Sequence, residues 1–228
     1  MVCFELTPVP ATTQDPRGFI GGVPSLPTDS VWPSCRMCGE HLVHFIDLEV
    51  PDGVPPFKAR SRLQIFACRQ HDDIAGTIYS NYKSFDSVAR SKRLPDRYWE
   101  ISDGHYLLRL LPPNAIVKCG SVETRLTLQN LQPTRRDDSE VEPLGTLKFF
   151  GHPSWAQDPE EHLCCCGEPM RLLLQIPDGA GFAMAARAPQ QPNSFSPSQY
   201  CLFLGNELYL LACTAQFHPL ALWPVLQH

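Results

Sequence analysis

Apolar and polar residues alternate along this chain in short runs, each cut off by proline or glycine. Residues 42–50 set Phe45, Asp47 and Glu49 against Ile46, Leu48 and Val50, the two-residue period of a strand with one buried face. Pro51, Asp52 and Gly53 then turn the chain, and residues 62–68 form a second apolar run that ends at Cys68. Residues 105–111 read as another strand, stopped by Pro112 and Pro113, with shorter strands expected at 115–118 and 124–128. A helix is expected over 79–93. Residues 17–33, punctuated by Gly18, Gly21, Gly22, Pro24, Pro27 and Pro33, read as loop, and the polar stretch 132–143 reads as a solvated connector.

The pattern then restarts. Residues 147–155 echo 18–26; Cys166, Gly167, Glu168 and Met170 follow the order of Cys38, Gly39, Glu40 and Leu42. Residues 172–176 repeat the first strand, Pro177-Asp178-Gly179 repeats Pro51-Asp52-Gly53, and 208–213 repeats 63–68. Between them, 180–198 reads as an inserted surface loop, 200–204 as a strand and Gly205-Asn206 as a hairpin turn. Ordered identities of this kind predict a tandem duplication. The expected fold is mainly β, α+β with little helix, built from duplicated sheet halves that each carry a zinc-ribbon-like knuckle. The expected boundary separates an N-terminal half with a central insertion, 1–143, from a C-terminal half, 144–228.

Composition narrows the function classes. With 23 Pro and 14 Gly in 228 residues, short strands are favoured over long helices. A net charge of −5 gives no electrostatic reason to expect nucleic acid or an anionic membrane as partner. The basic residues Lys58, Arg60, Arg62, Arg90, Lys92 and Arg93 are too few to change that reading. The first residues lack the basic and apolar regions of a signal peptide, and no apolar run is long enough to span a bilayer. Ten cysteines without a secretion signal therefore point to the reducing cytoplasm and to metal binding rather than disulfides.

Zinc takes four ligands in a tetrahedron and favours thiolate and imidazole. Cys35 and Cys38 form one knuckle, and Cys68 with His71 supplies a second pair at the end of the next strand, giving a closed Cys3His set. In the second half, alignment of Cys166 with Cys38 puts Leu163 opposite Cys35. The expected set there is Cys164, Cys166, Cys213 and His218, with Cys165 as the alternative ligand and His162 a weaker one. A redox dithiol at Cys35 and Cys38 is disfavoured because the pair leads into a strand, not a helix N-terminus. Cys3, Cys119 and Cys201 lack partner spacing and read as buried thiols. Glu40 and Glu168 read as turn hydrogen-bond acceptors, Asp72 and Asp73 as solvent-facing, and the four tryptophans as core or rim packing. No nucleophile-elbow, phosphate-loop, dinucleotide or zincin motif is present.

The order of Gly21, Gly22, Pro24, Leu26, Cys35, Cys38, Gly39, Leu42, Phe66 and Cys68 resembles two related families: the YwqG-like bacterial proteins and the programmed cell death protein 2 family. A second copy is carried by Gly151, Pro153, Trp155, Cys166, Gly167, Pro169, Met170 and Cys213. The resemblance covers 18–71 and 147–226. It implies a β-rich, duplicated fold and a role in binding another protein, as chaperone, adaptor or toxin-neutralising partner. The alternative expectation is an enzyme with a site in the cleft between the halves, using His105, Glu100 or Asp103.

Overall fold

A computed structural model of the chain describes residues 2–27, 30–74, 92–115, 117–118, 121–138 and 146–228. Its strands, in chain order, are β1 (Val2–Pro10), β2 (Gly18–Ile20), β3 (Ser25–Leu26), β4 (Val43–Glu49), β5 (Arg62–Ala67), β6 (Tyr106–Leu111) and β7 (Val117–Lys118). They continue as β8 (Gln129–Asp137), β9 (Leu147–Phe149), β10 (Met170–Ile176), β11 (Gly181–Ala183), β12 (Gln199–Cys201), β13 (Glu207–Cys213) and β14 (Leu222–Gln227). The protein is mostly β, and no helix of seven or more residues occurs among the described residues. The helix expected over 79–93 lies outside them except for Lys92 and Arg93.

Among the described residues, ten strands form one sheet in the order β14-β13-β10-β9-β1-β8-β2-β4-β5-β6. The sheet is nearly closed: the Leu110 amide on β6 donates to the Pro219 carbonyl just ahead of β14, at 2.8 Å. Five strands of the sheet precede residue 129 and five follow it, and the order outward from the centre is the same on both sides. The two blocks share a detail as well. The β4–β5 ladder shifts register between His44 and Ile46, and the β10–β13 ladder between Leu172 and Leu174. A bulge at matching positions bends both pairs in the same place.

The middle of the sheet departs from expectation. The polar residues read as a connector are β8 as far as Asp137, paired antiparallel with β1 over its full length, Val2 opposite Asp137 and Pro10 opposite Gln129. Most of β8 beyond Leu131 is solvent-exposed, so no apolar alternation marks it, and the backbone ladder makes the strand. Pro8 and Pro10 are tolerated in β1 because β9 pairs only with Phe4–Leu6, leaving the rest of that edge free of the ladder. The strand expected at 124–128 does not form. Leu126 makes an isolated bridge to Met184, as the chain crosses to the small β11–β12 hairpin. The 180–198 insertion is partly internal, since Phe182 and Gln191 are buried.

β4, β5, β10 and β13 are buried along almost their whole length, so each is covered on both faces. That explains their near-continuous apolar runs and corrects the single buried face expected for residues 42–50. One side packs into a core shared by the whole sheet, including Phe45, Ile46, Ile65, Phe149, Leu174 and Leu211. On the other side of β4 and β5 lies a smaller cluster of Leu26, Cys35, Leu42, Phe66 and Cys68, with Trp32 and Cys38 packed against it.

Covering that second face buries polar groups, and most find partners within it, while His44 Nε2 and Arg109 Nη2 make no hydrogen bond among the described residues. Asp47 is fully buried; its carboxylate accepts from Arg62, from Gln64 Nε2 at 2.6 Å and from the Ser25 amide at 3.2 Å. Gln64 Nε2 also donates to the Ser25 carbonyl, at 2.7 Å. The other block builds the same bracket from different residues. Gln175 Oε1 accepts the Ser154 amide at 3.0 Å, its Nε2 donates to Glu207 at 2.6 Å, and the Tyr209 hydroxyl donates to the Ser154 carbonyl at 2.8 Å. Arg62 is thus an internal counter-ion, not part of a surface basic patch.

Removing one partner of a buried charge pair strands the other. Asp47→Ala is expected to lower unfolding free energy by about 3–5 kcal/mol in urea denaturation. A loss under about 1 kcal/mol would mean that Glu49, 3.7 Å from Arg62, suffices as counter-ion.

Candidate metal centres

The first knuckle is shaped by its backbone. The Cys35 amide donates to the Glu40 carbonyl at 2.8 Å and the Gly39 amide to the Cys35 carbonyl at 2.9 Å. Gly39 has φ of 73°, a left-handed conformation that glycine adopts without strain. β5 then delivers Cys68, whose amide donates to the His105 carbonyl at 2.7 Å, and His71 follows in the next turn. The structure therefore brings together Cys35, Cys38, Cys68 and His71, with one ligand atom of each lying within 4.8 Å of all the others. The Cys38 and Cys68 sulfurs are 3.7 Å apart, and His71 Nδ1 lies 3.6 Å from Cys35 Sγ and 3.5 Å from Cys68 Sγ. Ligands held about 2.3 Å from one tetrahedral ion would be about 3.8 Å apart, whereas disulfide sulfurs sit at about 2.05 Å. The spacing is that of a shared metal, not of a disulfide.

The second knuckle is the same turn shortened by one residue. The Cys164 amide donates to the Glu168 carbonyl and the Gly167 amide to the Cys164 carbonyl, each at 2.8 Å, and Gly167 has φ of 95°. Short bridges flank both knuckles, Ser34 with His41 and Leu163 with Pro169. Cys164, not Leu163, therefore occupies the place of Cys35, and the sequence alignment fails there because one residue is missing from the loop. Cys164, Cys166 and Cys213 lie within 4.8 Å of one another and could hold a metal ion, with Cys166 Sγ 3.6 Å from Cys213 Sγ.

His218 does not join them. Its ring stacks on Trp99, centroids 4.4 Å apart, and its Nδ1 accepts the Leu220 amide at 3.2 Å. Cys165 Sγ lies 4.0 Å from Cys164 Sγ but outside the three-thiol group, and His162 is turned to Glu160 through Nε2 at 3.0 Å. The neighbour that sequence reasoning missed is Tyr98, whose hydroxyl lies 3.7 Å from Cys164 Sγ and 3.8 Å from Met170 Sδ. Only its burial and aromatic character could have flagged it.

The thiols of the two groups are tuned alike. Burial disfavours the thiolate of Cys35, but backbone amides of Cys38 and Met37 outweigh it, and its pKa is lowered. At Cys164 burial is again outweighed, by the Cys166 amide and the Tyr98 hydroxyl. Burial pushes Cys68 and Cys213 up to about 12. Each group thus presents one thiol poised to ionise and one that a cation must deprotonate.

A groove of about 460 Å³ opens beside the first group, lined by Trp32, Glu40, His41, Arg69, Val122, Glu123 and Arg125. Trp32 and His41 stack on one wall, centroids 6.4 Å apart, and Val122 is half exposed. The charges are paired across it: Arg69 Nη2 lies 3.1 Å from Glu40, and Arg125 Nε lies 2.8 Å from Glu123. Glu40 is therefore a side-chain partner, beyond the turn-acceptor role expected of it. Asp72, expected at the surface, is buried and accepts from Gln191 Nε2 and Asn193 Nδ2, both at 2.8 Å. Cys3 and Cys201 are buried free thiols as expected, and Cys119 lies outside the described residues. Glu100 pairs with Arg97, and His105 packs against His71, centroids 5.6 Å apart. No helix among the described residues is long and apolar enough to cross a membrane.

In comparisons with known proteins, the chain matches neither a protein-family model nor a curated protein.

Two outcomes follow from this geometry. Cys68→Ser is expected to remove one metal equivalent per chain and Cys213→Ser the other, while Cys201→Ser removes none, read by elemental analysis of purified protein. Acid is also expected to destabilise the groove. Burial raises the Glu123 pKa, but Arg125 and the His44 amide outweigh it, so its folded pKa lies below the ordinary 4.5. The stabilisation it contributes is complete above that ordinary value and is lost as pH falls through the folded value. Thermal unfolding from pH 7 to pH 3 should therefore show a shallower acid slope in Glu123→Gln than in the unmodified protein.

Proposed function

We propose that the chain is a zinc-stabilised, non-enzymatic protein-binding module, in the sense of a chaperone, adaptor or toxin-neutralising partner working in the cytoplasm. The observation that carries the reading is the position of the groove relative to the first ligand set. Glu40 and His41 follow the Cys35–Cys38 knuckle directly, and Arg69 follows Cys68, so the ligand loops are also the groove walls. An ion at Cys35, Cys38, Cys68 and His71 would hold those walls in register. Four soft or borderline donors at tetrahedral spacing suit zinc, and a closed set of four suits a structural rather than a catalytic ion.

The groove supplies what a protein surface recognises: an aromatic wall, a half-exposed valine and charges already neutralised by each other. We also infer that the chain arose by tandem duplication. The matching strand order, bulges, knuckles and polar brackets support it, with β8 as the counterpart of β1. That reading agrees with the resemblance to the YwqG-like and programmed cell death protein 2 families. The enzyme alternative has less support, because His105 and Glu100 are engaged with His71 and Arg97 instead of converging on the groove.

Affinity capture from the native host tests the proposal. The intact protein is expected to retain a stoichiometric protein partner, and Trp32→Ala should weaken that capture at least tenfold while leaving metal content unchanged. Equal capture by the variant would move the binding surface away from the groove, and turnover of a metabolite without a protein partner would favour the enzyme.

A further inference from the structure

The two metal centres differ in one respect that their shared backbone does not require. Among the described residues the first has four protein donors within ligand distance and the second has three. The described residues that could supply a fourth donor are each committed elsewhere. His218 stacks on Trp99, His162 turns to Glu160, and Cys165 approaches Cys164 alone. On its inner side the thiol triad is closed by Tyr98, whose hydroxyl rests between Cys164 Sγ and Met170 Sδ. On its outer side stands Cys166, the one exposed thiol of the three, next to Leu163, itself 38% exposed. Among the described residues, the triad is therefore reached from solvent on the side of Cys166.

We propose that the second centre is coordinatively open and takes a thiolate from outside the chain as its fourth ligand. This rests on the metal-binding reading above and adds to it a ligand-exchange site. Three thiolates with an open position are what an accessible zinc centre presents, and water holds the corner until a stronger donor arrives. A thiolate is a preferred zinc donor. If a zinc ion were held by Cys164, Cys166 and Cys213, an incoming thiol would lose its proton to solvent and its thiolate would take the remaining position, with nothing oxidised or reduced. The same corner would receive a low-molecular-weight thiol or a cysteine presented by a bound protein.

Cobalt(II) substitution of the full-length chain tests this, because the visible bands of tetrahedral cobalt report its donor set. With two equivalents loaded, titration with 2-mercaptoethanol is expected to shift the bands of one ion only, saturating at one thiol per chain. Cys166→Ser should abolish the shift and lower binding to one equivalent. A short cysteine-containing peptide titrated in parallel separates the sources: tighter binding of the peptide assigns a protein cysteine, and equal binding assigns a small thiol. Two bound ions with no thiol-dependent shift would overturn the open site, and His162→Ala would then show whether that imidazole closes it. One ion, unaffected by Cys166→Ser, would also overturn it while leaving the first centre intact. No bound cobalt would instead sink the metal reading on which both rest.

Discussion

A strand buried on both faces needs two layers to cover it, and in this protein the second layer is only the short β3–β7 ladder and the loops beside it. β4 and β5 lie between the shared core and this shell, which carries Leu26 on β3 and Cys35, Leu42 and Trp32 on loops. Loops of this length hold little apolar area, so their docking must be reinforced by something other than burial. The reinforcement is local and chemical. Asp47 gathers the Ser25 amide, Gln64 and Arg62 into one buried bracket, and the thiols of Cys35, Cys38 and Cys68 converge with His71 at the strand end. The rest of the sheet depends on that cover, since without it the polar face of β4 and β5 would be exposed beside an aromatic one.

The other block meets the same demand with different atoms. Gln175, Glu207 and Tyr209 replace Asp47, Arg62 and Gln64, so a charge pair gives way to an amide, a carboxyl and a phenol at the same stations. The bracket is kept while its charge is not. This is the expected result when the constraint is a backbone needing partners for one serine amide and one carbonyl, because any donor and acceptor of the right reach will satisfy it. Both cysteine turns end in a glycine with positive φ, where no other residue is free of strain.

The same distinction decides what the sequence could reveal. Strands β4, β5, β6, β10 and β13 were legible because burial imposes an apolar pattern. β8 was not, because its side chains face solvent and only its backbone is specified, so Arg135, Arg136 and Asp137 looked like a connector. β1 escaped notice for a related reason, its prolines masking a strand whose outer edge is partly unpaired. At the sites, seven of the eight expected ligands fall into the two groups, since cysteine spacing is a strong signal. His218 fails because an imidazole after an aromatic residue can equally stack, and the Trp99 ring that captures it comes from a segment with no repeat partner.

The second cysteine turn is one residue shorter than the first between Cys164 and Gly167, and the chain beyond the strand-end cysteine differs as well. The shorter turn keeps the amide contacts that favour a Cys164 thiolate. In the first block the histidine three residues beyond Cys68 swings back to its thiols, whereas Cys213 is followed by Thr214, Ala215 and Gln216. Gln216 sits in a left-handed turn, φ 47°, and reaches instead toward Lys58 and Ser61 of the other block. Gln216, three residues beyond Cys213 as His71 is beyond Cys68, thus spends its side chain on linking the β13–β14 turn to the β4–β5 turn rather than on the thiols.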